Sequence, residues 1–298
     1  MSTEMAVEHR PSRARKIIQF PLTRAIIALV FVVGAVQGVQ LLLNLLGRYL
    51  FTTDDLPKLW LIVIWMLTVP IAYLAYYAHV RFIEKRLITE LAWSGALPQL
   101  GIGCAVGAGL FVVVIAIIWG LGHYHVIAVN GVAFIVVPFF HYVYTAVYEE
   151  LVFRGIFFRI IEGSLGSWLA IVFSGLLFGF AHSTVPNATL YSNLAIALMG
   201  GVIFSAAYMY TRRLWFAFGI HFAWNFTQVG IFGLAVSEKD GKGLLESEIT
   251  GSGFLSGGSF GIETSIVTFI IVSLAGLYLL WKAKEKGHFI QPFWKLKK

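Results

Sequence analysis

The chain has 298 residues, of which 58% are hydrophobic and only 12% are charged, and its mean hydropathy is +0.81. About a quarter of the residues in a soluble domain are charged, so this composition excludes an ordinary soluble protein and predicts a membrane protein. The net charge of +7 is scattered between apolar runs, with denser clusters at both chain ends. This pattern favours contact with a lipid bilayer over nucleic-acid binding. A single cysteine, Cys104, excludes a disulfide framework.

Apolar windows of roughly 20 residues, enough to cross the hydrocarbon core of a bilayer, recur along the whole chain. They predict an all-α fold, a polytopic transmembrane helical bundle of about eight spans. The predicted spans are Ala25 to Leu46, Leu59 to Val80, Leu97 to Leu121, Val132 to Ile160, Ser167 to His182, Leu190 to Tyr210, Leu214 to Val236 and Ile262 to Trp281.

The positive charges predict the orientation of this bundle. If eight spans alternate across the membrane, 18 of the 22 Lys and Arg residues fall on the side of the two chain ends. Cytoplasmic loops are enriched in positive charge, so both termini are expected in the cytoplasm. The domain organisation is then a tail at 1–24, a single helical domain at 25–281 and a basic tail at 282–298. The Gly- and Ser-rich stretch at 238–260 is expected to be a flexible extracytoplasmic loop.

Ionisable side chains inside the predicted spans are few, and each costs at least about 2.5 kcal/mol to insert. Glu149 and Glu150 are the acidic residues that lie well inside a span, and Arg154 follows on the same helix. Residues four apart share a helix face, whereas adjacent residues are rotated by about 100°. We therefore expect Glu150 to pair with Arg154 and Glu149 to face a polar cavity between helices.

Two later spans carry a histidine at the same four-residue spacing. His182 follows Phe178 by four residues in the fifth span, and Asn225 follows His221 by four residues in the seventh. A third histidine, His141, has no such pattern and is expected to be structural.

Hydrolysis of an amide needs a base for water, donors for the oxyanion and a proton for the leaving amine. Glu149, His182, His221 and Asn225 can supply all three. The spans contain no aspartate, and the chain has no Gly-x-Ser-Gly and no His-Glu-x-x-His sequence, which argues against aspartyl, serine and common zinc peptidases.

Alternatives remain at this point. Glu149, His182 and His221 are also a set that can ligate a catalytic zinc ion, so a zinc-dependent peptidase stays open although no cofactor is favoured. Intramembrane glutamate and histidine residues also occur in transporters and proton relays. A catalytically silent scaffold is a further alternative.

The three motifs resemble those of the CPBP family, the CAAX-protease and bacteriocin-processing (Abi) membrane proteins that include the Ras-converting CAAX endopeptidases. The family's Glu-Glu-x-x-x-Arg appears as Glu149-Glu150-Leu-Val-Phe-Arg154, its Phe-x-x-x-His as Phe178 to His182, and its His-x-x-x-Asn as His221 to Asn225. The three lie in the family's order, in separate spans, within a motif core at 132–236. The catalytic core is therefore expected in spans 4 to 7.

The resemblance implies a metal-independent intramembrane endopeptidase. In such an enzyme Glu149 and His182 activate water, His221 and Asn225 hold the oxyanion, and Glu150, Arg154 and Phe178 support them. It implies a substrate that is a membrane-associated or prenylated protein or peptide. The absence of an organelle-targeting extension favours a prokaryotic cell membrane.

One geometric mismatch accompanies these expectations. At ~1.5 Å per residue, Glu149, His221 and Asn225 lie roughly 10 to 17 Å from the cytoplasmic ends of their predicted helices. His182 lies about 24 Å from the corresponding end. Straight helices with the predicted bounds would not bring His182 beside Glu149.

Overall fold

The computed structural model describes residues 17–53, 55–235 and 242–295. Most of the predicted N-terminal tail, the end of the seventh predicted span at Val236 and the last three residues of the C-terminal tail lie outside this description. Eight helical segments dominate the described residues. They are α1 Pro21–Phe51, α2 Lys58–Glu84, α3 Ala96–Gly120, α4 Val132–Leu165, α5 Ser167–Thr184, α6 Leu190–Thr211, α7 Leu214–Asn225 and α8 Ile266–Glu285.

Within the described ranges, seven of these helices are long and apolar enough to cross a membrane, and each overlaps a predicted span. The predicted all-α polytopic bundle is therefore confirmed, and the protein is an integral multi-pass membrane protein. The remaining helix, α7, continues as a π-helix over Phe226–Ile231. It matches the seventh predicted span in position, and it carries His221 and Asn225.

The stretch predicted to be a flexible loop has regular structure in its described part. Strand β2 (Leu245–Ile249) pairs antiparallel with β1 (Tyr124–Val129), which precedes α4. A one-turn helix, Gly253–Ser256, and a 3₁₀ turn, Ile262–Thr264, follow before α8 begins. The described part of the predicted loop therefore contains paired strands, which satisfy each other's backbone groups; its flexibility and its side of the membrane stay predictions.

Glycines allow two pairs of helices to approach closely. A Cβ added at Gly107 of α3 would lie within 2.3 Å of the backbone oxygen of Ile220 in α7. A Cβ at Gly179 of α5 would lie 2.1 Å from the backbone oxygen of Asn193 in α6. Small residues at four-residue spacing therefore set these contacts, as they do in many membrane bundles. They hold α5, α6 and α7 around a common interior.

A buried polar network closes the end of the bundle where α2 stops. Arg86 donates from Nε to Glu84 at 2.7 Å and from Nη1 to Glu90 at 2.9 Å. Arg159 of α4 donates to Glu84 at 2.8 Å, and the hydroxyl of Tyr76 donates to Glu90. These bonds join α2, α4 and the segment 85–95 at the end of the bundle that holds most of the described Arg and Lys residues.

Candidate active site

A cavity of about 500 Å³ opens among α4, α5, α6, α7 and α8. The four residues predicted to be catalytic all line it, and Phe178 does too. Glu150 and Arg154 lie behind the wall. The lining also includes residues that the sequence did not single out: Tyr142, Thr145, Thr184, Val185, Pro186, Ile196, Met199, Gly200, Ile203, Phe204, Ile220, Trp224, Glu263 and Val272.

The two adjacent glutamates of α4 have different surroundings, as the helical rotation predicts. The Glu149 side chain is 22% exposed and faces the cavity, whereas the Glu150 side chain is fully buried. Arg154 Nη1 donates to Glu150 Oε1 at 2.9 Å, and the Arg154 side chain is also fully buried. A buried charge needs a partner of opposite sign, so the i,i+4 pair keeps both ions compatible with the bundle interior.

Arg154 is held from three further directions. Its Nη2 donates to the backbone oxygen of Gly200 at 2.6 Å. Its guanidinium carbon lies 4.7 Å from the ring centre of Phe178 and 4.9 Å from that of Phe204, within the range of cation–π attraction. A Cβ at Gly200 would lie 2.4 Å from Phe178 Cε1, so this glycine makes room for the ring. The motif phenylalanine therefore supports the motif arginine.

His221 contacts both glutamates, a juxtaposition that the sequence did not reveal. Its Nδ1 lies 2.8 Å from Glu150 Oε1, and its Nε2 lies 3.7 Å from Glu149 Oε2. The imidazole stacks on Phe204, with ring centres 4.5 Å apart and planes 14° apart. Glu150 thus orients both Arg154 and His221, and the ring presents Nε2 on the side of Glu149.

His182 stands where α5 changes from an α-helix to the 3₁₀ turn His182–Thr184. Its Nδ1 lies 2.8 Å from the backbone oxygen of Phe178, which sets Nδ1 as the donor and leaves Nε2 as the acceptor. The expected mismatch in depth is absent, because Glu149, His182, His221 and Asn225 line one cavity. The predicted end of the fourth span at Ile160 was also too early, since α4 runs on to Leu165.

The extension of α4 passes through a π-helical segment, Leu151–Phe158, which begins directly after Glu150. A second π-helical segment begins directly after Asn225. π-helical turns are rare and often occur at functional sites. Here each one follows a polar residue of the cavity region and changes the register of the apolar residues that come next.

His141 also lies on the cavity wall, although its spacing predicted a structural residue. Its ring packs against Trp65 and Tyr142, with ring centres 4.7 Å and 4.9 Å away.

As for metals, no group of three or more His, Cys, Asp or Glu side chains among the described residues is arranged to hold an ion.

Residues 131–227 match the family model for the Rce1-like type II CAAX prenyl endopeptidases. This segment, about a third of the chain, is similar to that family. The resemblance to the CPBP and CAAX proteases is thereby confirmed over a stretch that contains all three motifs. No curated protein matches the chain, and no solved structure matches it. The match to the CAAX endopeptidase model, together with the apolar helices, indicates a peptidase embedded in the membrane.

Proposed function

We propose that this CAAX-family protein is a metal-independent endopeptidase that cleaves a membrane-associated protein or peptide inside the bundle. One observation carries the proposal. Of the two motif glutamates, Glu150 is occupied by Arg154 and His221, whereas Glu149 is partly exposed to a cavity that also contains His182, His221 and Asn225. Glu149, the carboxylate that faces the cavity, is the group that can act on water.

In the proposed reaction, a water molecule binds between Glu149 and His182 Nε2. Glu149 takes a proton from this water as its oxygen attacks the carbonyl carbon of the substrate. The carbonyl π electrons move to the oxygen, and His221 and Asn225 stabilise the resulting oxyanion. The proton held by Glu149 then passes to the leaving amine as the C–N bond breaks. The products are a carboxylic acid and an amine.

Glu150 has a defined part in this scheme. Because His221 Nδ1 donates to Glu150, its Nε2 can donate to an oxyanion only when the ring carries both protons. The buried carboxylate of Glu150 stabilises that charged imidazolium, as the aspartate does in a catalytic triad. Glu150 and Arg154 are therefore proposed as positioning residues.

The proposed orientation places both termini in the cytoplasm, in a prokaryotic cell membrane. The polar network of Arg86 and Arg159 then lies at the cytoplasmic end of the bundle, in agreement with the enrichment of positive charge there. The substrate is proposed to be a lipid-anchored or membrane-inserted polypeptide. Prenylated CAAX peptides are the first class to test because of the family.

The test is cleavage of quenched fluorescent peptides, including a farnesylated CAAX peptide, by detergent-purified protein. We expect wild-type protein to cleave at least one peptide with or without a chelator. Glu149→Gln and His182→Ala should each lower kcat by at least ~10²-fold, in line with loss of general-base catalysis. Glu248→Gln, on the exposed face of β2, is the matched control and should retain wild-type activity.

Three results would contradict the proposal. Loss of cleavage on chelation with recovery on adding zinc would make Glu149, His182 and His221 metal ligands. Full activity in Glu149→Gln would remove the proposed base. Absence of cleavage across the whole panel would favour a transporter or a scaffold.

A further inference from the structure

A third carboxylate enters the cavity from outside the three motifs. Glu263 lies in the 3₁₀ turn Ile262–Thr264, just before α8, and lines the same cavity as Glu149. Its carboxylate makes no hydrogen bond or ion pair with the part of the chain that the structure describes. Neither its position in the sequence nor the matched family segment, 131–227, assigns it a role.

The turn that carries Glu263 is held in place by hydrogen bonds on both sides. Thr264 Oγ1 donates to the backbone oxygen of Gly257 at 2.7 Å. The Thr268 hydroxyl donates to the backbone oxygen of Ile262 at 2.7 Å. The Tyr191 hydroxyl of α6 donates to the backbone oxygen of Thr264 at 3.1 Å. Ile262 and Thr264 are buried. A side chain on so fixed a frame is suited to recognition.

The charges around the cavity do not compensate Glu263. Within the described part of the chain, no Lys or Arg lines the cavity, and the buried Arg154 behind its wall is already paired with Glu150. Two carboxylates in one partly dry space repel each other. Burial raises the pKa of Glu263, which lies outside the membrane-spanning helices, to about 7; Glu149 adds to this rise and His221 opposes it. A positive charge entering the cavity would relieve the repulsion.

We propose that Glu263 is a specificity residue that binds a Lys or Arg side chain of the substrate close to the bond that is cleaved. The inference rests on the proposed peptidase function. Glu149 must stay free to activate water, so Glu263 is the carboxylate available for an ion pair. A charge-assisted hydrogen bond away from bulk water is strong, and the apolar walls of the cavity bind the neighbouring residues of the peptide.

The test measures binding separately from catalysis. Detergent-purified Glu149→Gln protein, which is proposed to bind without cleaving, captures peptides from an equimolar library of apolar decapeptides. Each peptide carries one Lys, Arg, Gln or Glu at a defined position, and captured peptides are counted by mass spectrometry. We expect about tenfold enrichment of Lys and Arg over Gln at one position, the size of a single charge-assisted bond.

Substitutions at Glu263 then decide the assignment. Adding Glu263→Gln to the Glu149→Gln protein should abolish the enrichment, and adding Glu263→Lys should shift it to Glu at the same position. Glu248→Gln, an exposed glutamate on β2, should leave the enrichment unchanged. Absent enrichment, or enrichment that survives Glu263→Gln, overturns the inference.

Cleavage assays on the wild-type background keep the two proposals apart. Glu263→Gln should lower kcat/KM for the preferred basic peptide about tenfold and leave peptides that are neutral at that position within about twofold. An equal fall in kcat for all peptides would show that Glu263 acts on the chemical step, against the inference. A wild-type protein that binds basic peptides but cleaves none would contradict the peptidase function alone.

Discussion

Glu149 and Glu150 are neighbours in the chain, yet the fold gives them opposite surroundings. Glu150 lies at the centre of a fully buried group with Arg154 and His221, while Glu149 faces the cavity. We therefore propose that the first contributes to stability and to the orientation of the imidazole, and that the second acts in the chemistry. Substitutions that remove one charge and preserve shape separate these two roles.

We predict that Glu150→Gln destabilises the protein far more than Glu149→Gln. Removing one partner of a buried ion pair typically costs about 3 to 5 kcal/mol, because Arg154 would keep its charge without a counter-ion. Thermal unfolding of the two variants in detergent, followed by a fluorescence signal that does not depend on labelling a thiol, measures their difference in stability. A Glu150→Gln protein as stable as Glu149→Gln would show that Arg154 finds another anion and that the pair is not structural.

At the scale of helices, the cavity depends on how closely α3 approaches α7. Gly107 of α3 lies against Ile220, the residue immediately before His221. Two residues later, Gly109 has no neighbouring atom within 4 Å of the position of an added Cβ. These glycines differ in packing within one helix, which makes them a matched pair.

We predict that Gly107→Ala destabilises the protein by about 1 to 3 kcal/mol, the usual cost of overpacking. Because the displaced residue precedes His221, peptidase activity should fall as well. The control, Gly109→Ala, should be neutral or stabilising by up to about 1 kcal/mol because alanine favours the helix. Melting temperatures and cleavage rates of the two variants provide the comparison, and equal behaviour of the pair would refute the packing argument.

The polar network at the end of α2 predicts sensitivity to acid. Burial alone would raise the pKa of Glu90, but the hydrogen bonds and charge of Arg86 outweigh burial and hold this pKa below the ordinary value of 4.5. A carboxyl group with a lowered pKa stabilises the fold fully above its unfolded pKa. That contribution is lost as the pH falls through the lower, folded pKa.

We therefore expect thermal stability in detergent to fall below about pH 4.5, with part of the fall due to Glu90. A Glu90→Gln protein should be less stable than wild type at neutral pH and should lose less on acidification. Glu248→Gln should follow the wild-type curve. Parallel curves for Glu90→Gln and wild type would show that Glu90 does not contribute to the acid response.

For the molecule as a whole, the basic residues and the cavity lie towards opposite ends of the bundle. The cavity is lined by residues 184–186, at and just after the end of α5, and by the turn with Glu263. The Arg86 network lies at the other end of the bundle. With the basic end in the cytoplasm, the connecting segments beside the cavity face the other side of the membrane. A substrate would then enter from that side or from the lipid.

Cysteine labelling checks this orientation. In a Cys104→Ser background expressed in bacterial cells, we expect Thr184→Cys and Thr53→Cys to react with a membrane-impermeant maleimide in intact spheroplasts. Ser94→Cys, in the segment after α2, should react only after permeabilisation. The reverse pattern would place the cavity mouth in the cytoplasm and both termini outside.

Some features were determined by the sequence alone because they depend on local spacing. The apolar windows located the spans, and the four-residue spacing predicted that Arg154 pairs with Glu150 on one face of a single helix. Three motifs in order were enough to predict the family resemblance that the match to residues 131–227 confirms. These inferences need only the 1.5 Å rise and the 100° rotation of an α-helix.

Other features were decided only by the tertiary structure. The contact of His221 with Glu150 joins residues 71 positions apart, and Glu263 reaches the cavity from a 3₁₀ turn at the start of the eighth predicted span, where the sequence assigned it no role. His182 and Glu149 line the same cavity, although the predicted helix bounds placed them at different depths. All three depend on helix ends and on the relative positions of separate helices. These are set by close packing across the bundle, and spacing within one segment carries no information about them.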